Sequence, residues 1–295
     1  MQDVIVIGGS YAGMAAALQL LRARRKVTVV DAGERRNRFA GQSHGFLGQD
    51  GVDPALIWSQ ARDQLLAYPP LTWIRNEACG VSGQRDGFQV DLAAGDPVQG
   101  RRLLFASGVK DQLPEIPGLA ERWGKSVFHC PYCHGYELDQ GRIGVIATGP
   151  MSLHQAQLLP EWGAVTFLTQ GLYAPDAAAR ADLARRGAEI ETTPVARLSG
   201  HADLELTDGR VLQFAGLFTA TRTSPASPLA EDFGCAMTET PMGRQILTGD
   251  SKETTIPGVF ACGDTARAPH SVSLAVGDGA WAGAQIHRSL VWPEG

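Results

Sequence analysis

Val4-Ile5-Val6-Ile7-Gly8-Gly9-Ser10-Tyr11-Ala12-Gly13-Met14-Ala15-Ala16-Ala17 stands almost at the start of the chain. The apolar run predicts a buried strand, the glycines a tight turn and the alanine-rich stretch a helix. A second strand, Val27-Thr28-Val29-Val30, ends on Asp31. This order is the βαβ dinucleotide fingerprint. Small residues let the backbone approach a pyrophosphate, and the helix N-terminus faces its charge. The acid about 20 residues downstream accepts from ribose hydroxyls. Ser10 takes the place of the middle glycine of GxGxxG; its Cβ makes the approach slightly less close, while its hydroxyl can donate to phosphate. The alternative is an ordinary tight turn between strand and helix.

Working outward, Leu103-Leu104-Phe105 runs into Ala106-Ser107-Gly108, and Thr254-Thr255-Ile256-Pro257-Gly258-Val259-Phe260-Ala261-Cys262 is a short apolar strand stopped by Gly263-Asp264. Between them lies Cys130-Pro131-Tyr132-Cys133-His134-Gly135-Tyr136-Glu137. Two thiols at this spacing close a disulfide or open to a dithiol, and the flanking residues set which sulfur is the thiolate. Half a zinc site looks the same. Zinc, however, needs a second pair of ligands, and no second CxxC or HxxxH occurs. Redox chemistry is therefore expected, and no metal.

Composition narrows the class. With 295 residues, 44% of them hydrophobic, and 35 glycines, an α/β chain with an ample core is expected. The net charge of −5 argues against a nucleic-acid surface. The basic clusters Arg22 to Lys26 and Arg35 to Arg38 read as solvated helix edge and phosphate contact. No apolar run of about 18 residues predicts a membrane span. The start in a strand leaves no room for a signal peptide, and few cysteines fit a reducing cytoplasm. Cys79 and Cys235 read as small core or loop residues.

Taken together, the three nucleotide-binding signals and the cysteine pair resemble the low-molecular-weight thioredoxin reductases, FAD-dependent pyridine nucleotide-disulfide oxidoreductases, over residues 1 to 292. Within them the chain is most similar to dithiol oxidases of the gliotoxin, holomycin and romidepsin type. Those carry a Cys-Pro-aromatic-Cys-His-Gly-Tyr-Glu segment, and Asp31-Ala32-Gly33 with Arg36-Asn37 and His44-Gly45-Phe46-Leu47-Gly48 also match. The resemblance implies FAD held by Gly8, Ser10, Ala12, Gly13, Asp31, Asn37, His44, Ala78, Gly108, Gly263, Asp264, Ser271 and Val272, with Asp264 on the ribityl chain. It makes Cys133 the flavin-proximal thiol and Cys130 the interchange thiol. His134 replaces the acid of thioredoxin reductases and is expected to shuttle protons near neutral pH. Asp278 is expected near the same pocket, Cys262 as a small residue packing near the flavin, and Tyr136 and Glu137 as packing and helix-start residues. The final helix, starting near Ser271, would aim its amides at negative charge on the flavin. A homodimer is implied as well.

The order of motifs predicts two Rossmann-like units of α/β class: a discontinuous FAD-binding domain, 1–111 and 243–295, and an inserted NAD(P)-like domain, 112–242, carrying the CxxC. Linkers are expected at Gly108 to Gly118 and Met242 to Asp250. In the insert the turn reads Ala147-Thr148-Gly149-Pro150-Met151-Ser152, and Pro150 removes an amide donor. Neither a cation nor an acid stands at Thr169 to Ala174. The NADPH site is thus expected to have decayed, and the chain to be a dithiol oxidase acting on a small-molecule dithiol with O2 as acceptor. Two alternatives stand beside this: an enzyme passing electrons from NAD(P)H or ferredoxin to a thioredoxin-like protein, and a redox-sensing flavoprotein.

Overall fold

Strand Gln2–Ile7 is apolar on both sides because it lies in the middle of a sheet covered on both faces. Val4 and Val6 enter one core with Leu20 and Ile286, while Ile5 and Ile7 enter another with Phe88 and Phe105. The computed structural model describes residues 1–293. Its first sheet has seven strands, in the order Leu71–Arg75, Val27–Asp31, Gln2–Ile7, Val98–Phe105, Gly87–Leu92, Ala78–Gln84, with Val259–Ala261 also paired to Val98–Phe105. The strands nearest the fingerprint run parallel, and Ala78–Gln84 and Gly87–Leu92 form an antiparallel edge. Helices Tyr11–Arg22 and Val272–Val291 cover one face. They pack backbone to backbone: a Cβ on Gly279 would lie 2.1 Å from the Ala12 carbonyl oxygen.

The second sheet is wholly parallel, in the order Glu189–Glu191, Gly163–Leu168, Gln140–Ile146, Gly216–Thr219, Val127–Phe128. Helices Met151–Leu158 and Ala177–Arg185 pack on it, with Ala156 and Leu183 in its core. This is a two-unit Rossmann-type α/β architecture. Between the sheets, Val109–Gln112 runs antiparallel to Arg222–Pro225, and Gly243–Ile246 and Met237–Thr240 extend that ribbon. The stretch after the ribbon packs on the first sheet: Leu229, Ala230, Cys235 and Ile246 share a core with Ile5, Phe88 and Leu103. Among the described residues no helix is long and apolar enough to cross a membrane.

Candidate cofactor cleft and disulfide centre

A cleft of about 530 Å³ runs from the Gly8-Gly9-Ser10 turn to the cysteine pair. Gly8, Ser10, Ala12, Asp31, Asn37, His44, Ala78, Gly108, Cys133, His134, Asp264, Ser271 and Val272 line it. Gly13, Gly263 and Cys130 do not, and the two glycines serve packing instead. A Cβ on Gly13 would lie 1.9 Å from the Gly8 carbonyl oxygen, and one on Gly263 would lie 2.5 Å from the Ala12 methyl. Gly8 itself sits at φ +113°, where a Cβ would meet the Ala106 carbonyl oxygen at 2.3 Å. Only glycine makes this turn. Ser10 is extended at the N-cap of a 12-residue helix and its side chain does not cap the helix, so the first-turn amides stay open to a ligand.

Three buried acceptors in the cleft lack partners. Asp31 takes the Gly33 amide on Oδ1, leaving Oδ2; Asn37 donates to the Tyr11 hydroxyl, leaving Oδ1; Asp264 accepts from Arg36 on Oδ2, leaving Oδ1. Each such orphan costs about 1–3 kcal/mol unless a ligand donates to it. Three open acceptors in the same cleft as the open first-turn amides suit a dinucleotide rich in hydroxyls, as FAD is. Ser271 caps the last helix by accepting from the Leu274 amide. Asp278 lies behind the cleft rather than on it: it accepts from the Gly263 amide at 2.8 Å and from Lys252 at 2.6 Å, holding the Gly263-Asp264 turn in place. Cys262 is fully buried in the core below, and burial pushes its thiol up.

Cys130 and Cys133 are joined as a disulfide, with Cα atoms 5.4 Å apart. Cys130 is the extended N-cap of a four-residue helix, Pro131–His134; Pro131 presets φ at its first position. Of the two sulfurs' residues, only Cys133 lines the cleft. Tyr132 is 72% exposed and stands perpendicular to Trp162 with ring centroids 5.3 Å apart, while Tyr136 is 85% exposed. Tyr136 and Glu137 do open a helix, the short 3-10 helix Tyr136–Leu138 that ends where Asp139 turns left-handed at φ +50°, but Tyr136 is exposed rather than packed. Glu137 reaches back to His44, its Oε1 3.4 Å from Nδ1.

The charges in the cleft come from residues far apart in sequence. Arg36 grips Asp111 with two hydrogen bonds, at 2.6 and 2.8 Å, and reaches Asp264 at 3.2 Å and His270 Nδ1 at 3.0 Å. Thr221 donates to the same Asp111. Burial pushes the Asp111 carboxyl up, but the Arg36 guanidinium outweighs it and holds it below the usual range. Three imidazoles here are held neutral. Burial, with Arg36 beside it, takes His129 down to about 3; burial, with His44 beside it, takes His134 down to about 4; burial lowers His270 too. His134 stacks on Phe128 at 4.2 Å. It is therefore a neutral ring at physiological pH, against the expectation that it titrates near neutrality.

The corresponding turn of the second sheet is occupied by its own side chains. The Thr148 amide donates to the Ser152 hydroxyl at 2.9 Å, and the Thr148 hydroxyl to the Ala220 carbonyl at 2.6 Å. Pro150 has no amide hydrogen to offer and stands at the N-cap of Met151–Leu158. Beyond the strand end, Thr169, Gly171 and Tyr173 border a hollow of about 270 Å³. Arg180, from the next helix, also lines it and donates to the Pro175 carbonyl. The sequence reading had not placed this cation.

The sequence model of the pyridine nucleotide-disulphide oxidoreductases matches residues 2–279. Thioredoxin reductase tcpT of Claviceps purpurea (strain 20.1) is 31% identical over 98% of this chain and 94% of its own length. The crystal structure of an oxidoreductase from Agrobacterium tumefaciens is 55% identical, with a TM-score of 0.97 over 99% of each chain. That of HlmI is 35% identical, with a TM-score of 0.90 over 98% of this chain and 92% of its own.

Proposed function

This chain belongs to the pyridine nucleotide-disulphide oxidoreductase family and is an FAD-dependent disulfide oxidoreductase, and from that premise we propose that it is a dithiol oxidase. It would close a disulfide in a small-molecule dithiol and deliver the electrons to dioxygen. One observation carries the direction: the second dinucleotide turn is filled by Thr148, Pro150 and Ser152, while Cys133 faces the cofactor cleft.

Gly8, Ser10, Ala12 and the helix amides would hold the pyrophosphate, Asp31 the ribose and Asp264 the ribityl chain, with Asn37, Ala78, Gly108, Ser271 and Val272 around them. Bound FAD would supply a two-electron carrier between the cysteine pair and O2, which leaves as H2O2 with two protons. A substrate thiolate attacks the Cys130 sulfur, and Cys133 leaves as a thiolate on the cleft side. The second substrate thiol then attacks the mixed disulfide and frees Cys130. Substrate loses two electrons and two protons; the enzyme disulfide gains the electrons.

The expected division is 1–111 and 243–295 as the FAD-binding unit and 112–242 as the insert; we propose that the insert ends earlier, at the return crossing Arg222–Pro225, since Leu229, Ala230, Cys235 and Met237 pack on the first sheet. A homodimer acting in the cytoplasm fits this reading. The hollow beside Arg180 is the observation favouring the alternative, NAD(P)H reducing a thioredoxin-like partner. Oxygen consumption with dithiothreitol tests the choice. The proposal predicts one H2O2 per disulfide formed, abolished by Cys130→Ser; dithiol turnover without oxygen uptake would contradict it.

A further inference from the structure

Resting on the oxidase reading, the first step still lacks a base. A free thiol has a pKa of about 8.5, so little thiolate exists at neutral pH. Four histidines line the cleft: His44, His129, His134 and His270. Three are poor proton acceptors. His129 and His134 are pushed down to about 3 and about 4 by burial and by their cationic or imidazole neighbours, and His270 shares a hydrogen bond with the Arg36 guanidinium.

His44 differs in what faces it. Among the described residues it is the one histidine with carboxylate oxygens within ion-pair distance of a ring nitrogen: Glu137 Oε1 at 3.4 Å, from the turn after the disulfide helix, and Asp50 Oδ1 at 3.6 Å, from its own loop. His134 is its other titratable neighbour. The loop is pinned. Ser43 pairs with Val52, the Gly45 amide donates to Asp50, and Ser273 of the last helix donates to the Gly45 carbonyl. Carboxylates beside Nδ1 favour the tautomer with the hydrogen on that nitrogen, which leaves the lone pair on Nε2.

We propose that His44, oriented by Glu137, is the base that takes the proton of the incoming substrate thiol. The proton moves to His44 Nε2 as the substrate sulfur bonds to Cys130 and the Cys130–Cys133 bond breaks. Cys133 leaves as a thiolate. The second substrate thiol then passes its proton to Cys130 as that sulfur departs. The enzyme ends with a Cys130 thiol, a Cys133 thiolate and protonated His44, and the substrate with its disulfide. Glu137 acts through His44 and is a positioning residue.

The test follows the cysteine pair itself. FAD-loaded protein is mixed without oxygen with dithiothreitol, quenched by alkylation, and the new thiols are counted by mass spectrometry from about pH 6 to about pH 10. Near neutral pH, His44→Gln is expected to open the disulfide about 100-fold more slowly than wild type, within the span of general-base effects. Glu137→Gln should be slowed about fivefold. Both should converge on wild type above the thiol pKa, where the thiolate is already formed; that convergence also shows that the variants are folded. Equal rates at neutral pH, a defect of the same size at every pH, or convergence shown by His134→Gln instead would overturn the assignment. A wild-type disulfide that dithiothreitol never opens would overturn this inference and the oxidase reading together, whereas an opened wild type with an unimpaired His44→Gln overturns His44 alone.

Discussion

The turn at Gly8-Gly9-Ser10 and the turn at Ala147 to Ser152 each join a buried parallel strand to a helix, yet they differ in how they dispose of their polar groups. The first holds its glycine at φ +113° against Ala106, leaves its helix uncapped, and is followed by the unpartnered carboxylate oxygen of Asp31. The second, whose helix also lacks a side-chain cap, ties up Thr148 instead: Ser152 and Ala220 take its hydrogens, and Pro150 replaces an amide. One scaffold thus appears twice, and on the function proposed here it is polar groups left unsatisfied, rather than topology, that would separate a binding turn from a structural one.

The sharpest way to break this contrast is to add one methyl group to each turn. Gly8→Ala forces a Cβ onto Ala106 at positive φ and should cost at least about 2 kcal/mol, with loss of FAD on purification. Gly149→Ala meets nothing within 4 Å and should stay within about 0.5 kcal/mol of wild type. Denaturant melts and flavin-to-protein ratios decide; equal penalties would end the comparison.

A second difference is electrostatic. The neutral histidines His129 and His134 crowd the cofactor cleft. Their folded pKa values lie below the unfolded value of about 6.5, so the unfolded chain binds more protons in the window from about 6.5 down to about 4. Stability contributed by keeping them neutral is complete above that window and falls as pH drops through it. Each should contribute a loss of about 2 kcal/mol between about pH 7 and about pH 5. His134→Gln should flatten that slope, as measured by urea midpoints at the two pH values; an unchanged slope would show that His134 titrates normally.

A smaller effect is expected at Asp264. Removing its carboxylate by Asp264→Ala deletes the acceptor for a ribityl hydroxyl and also frees Arg36 from one partner. FAD affinity should fall about tenfold, the equivalent of about 1.4 kcal/mol. Fluorescence titration of apoprotein would show it, and undiminished affinity would remove Asp264 from the binding set.

What could be read from the sequence was what lies close together in it. The Gly8 turn with Asp31, the Gly263-Asp264 stop and the Cys130–Cys133 pair each carry their meaning in local spacing, and the structure brings them to one cleft. The charges escaped because their partners are distant: Arg36 meets Asp111 across 75 residues and Asp264 across 228. Nothing beside His134 in sequence shows that it stacks on Phe128 and is buried into neutrality. Likewise nothing near Glu137 in sequence shows that it meets His44, 93 residues earlier. Arg180 was missed because the helix after the strand, not the strand end itself, supplies it.

The central claim is that electrons enter from a dithiol and not from a nicotinamide. Stopped-flow mixing of the FAD-loaded protein under argon, with NADPH in one syringe load and dithiothreitol in another, tests it most directly. The account predicts rapid bleaching of the flavin absorbance by the dithiol and slow, incomplete bleaching by NADPH, since the Thr148 amide is already bonded to Ser152 and Pro150 has no amide hydrogen to offer a phosphate. Rapid stoichiometric bleaching by micromolar NADPH, passed on to thioredoxin, would contradict it.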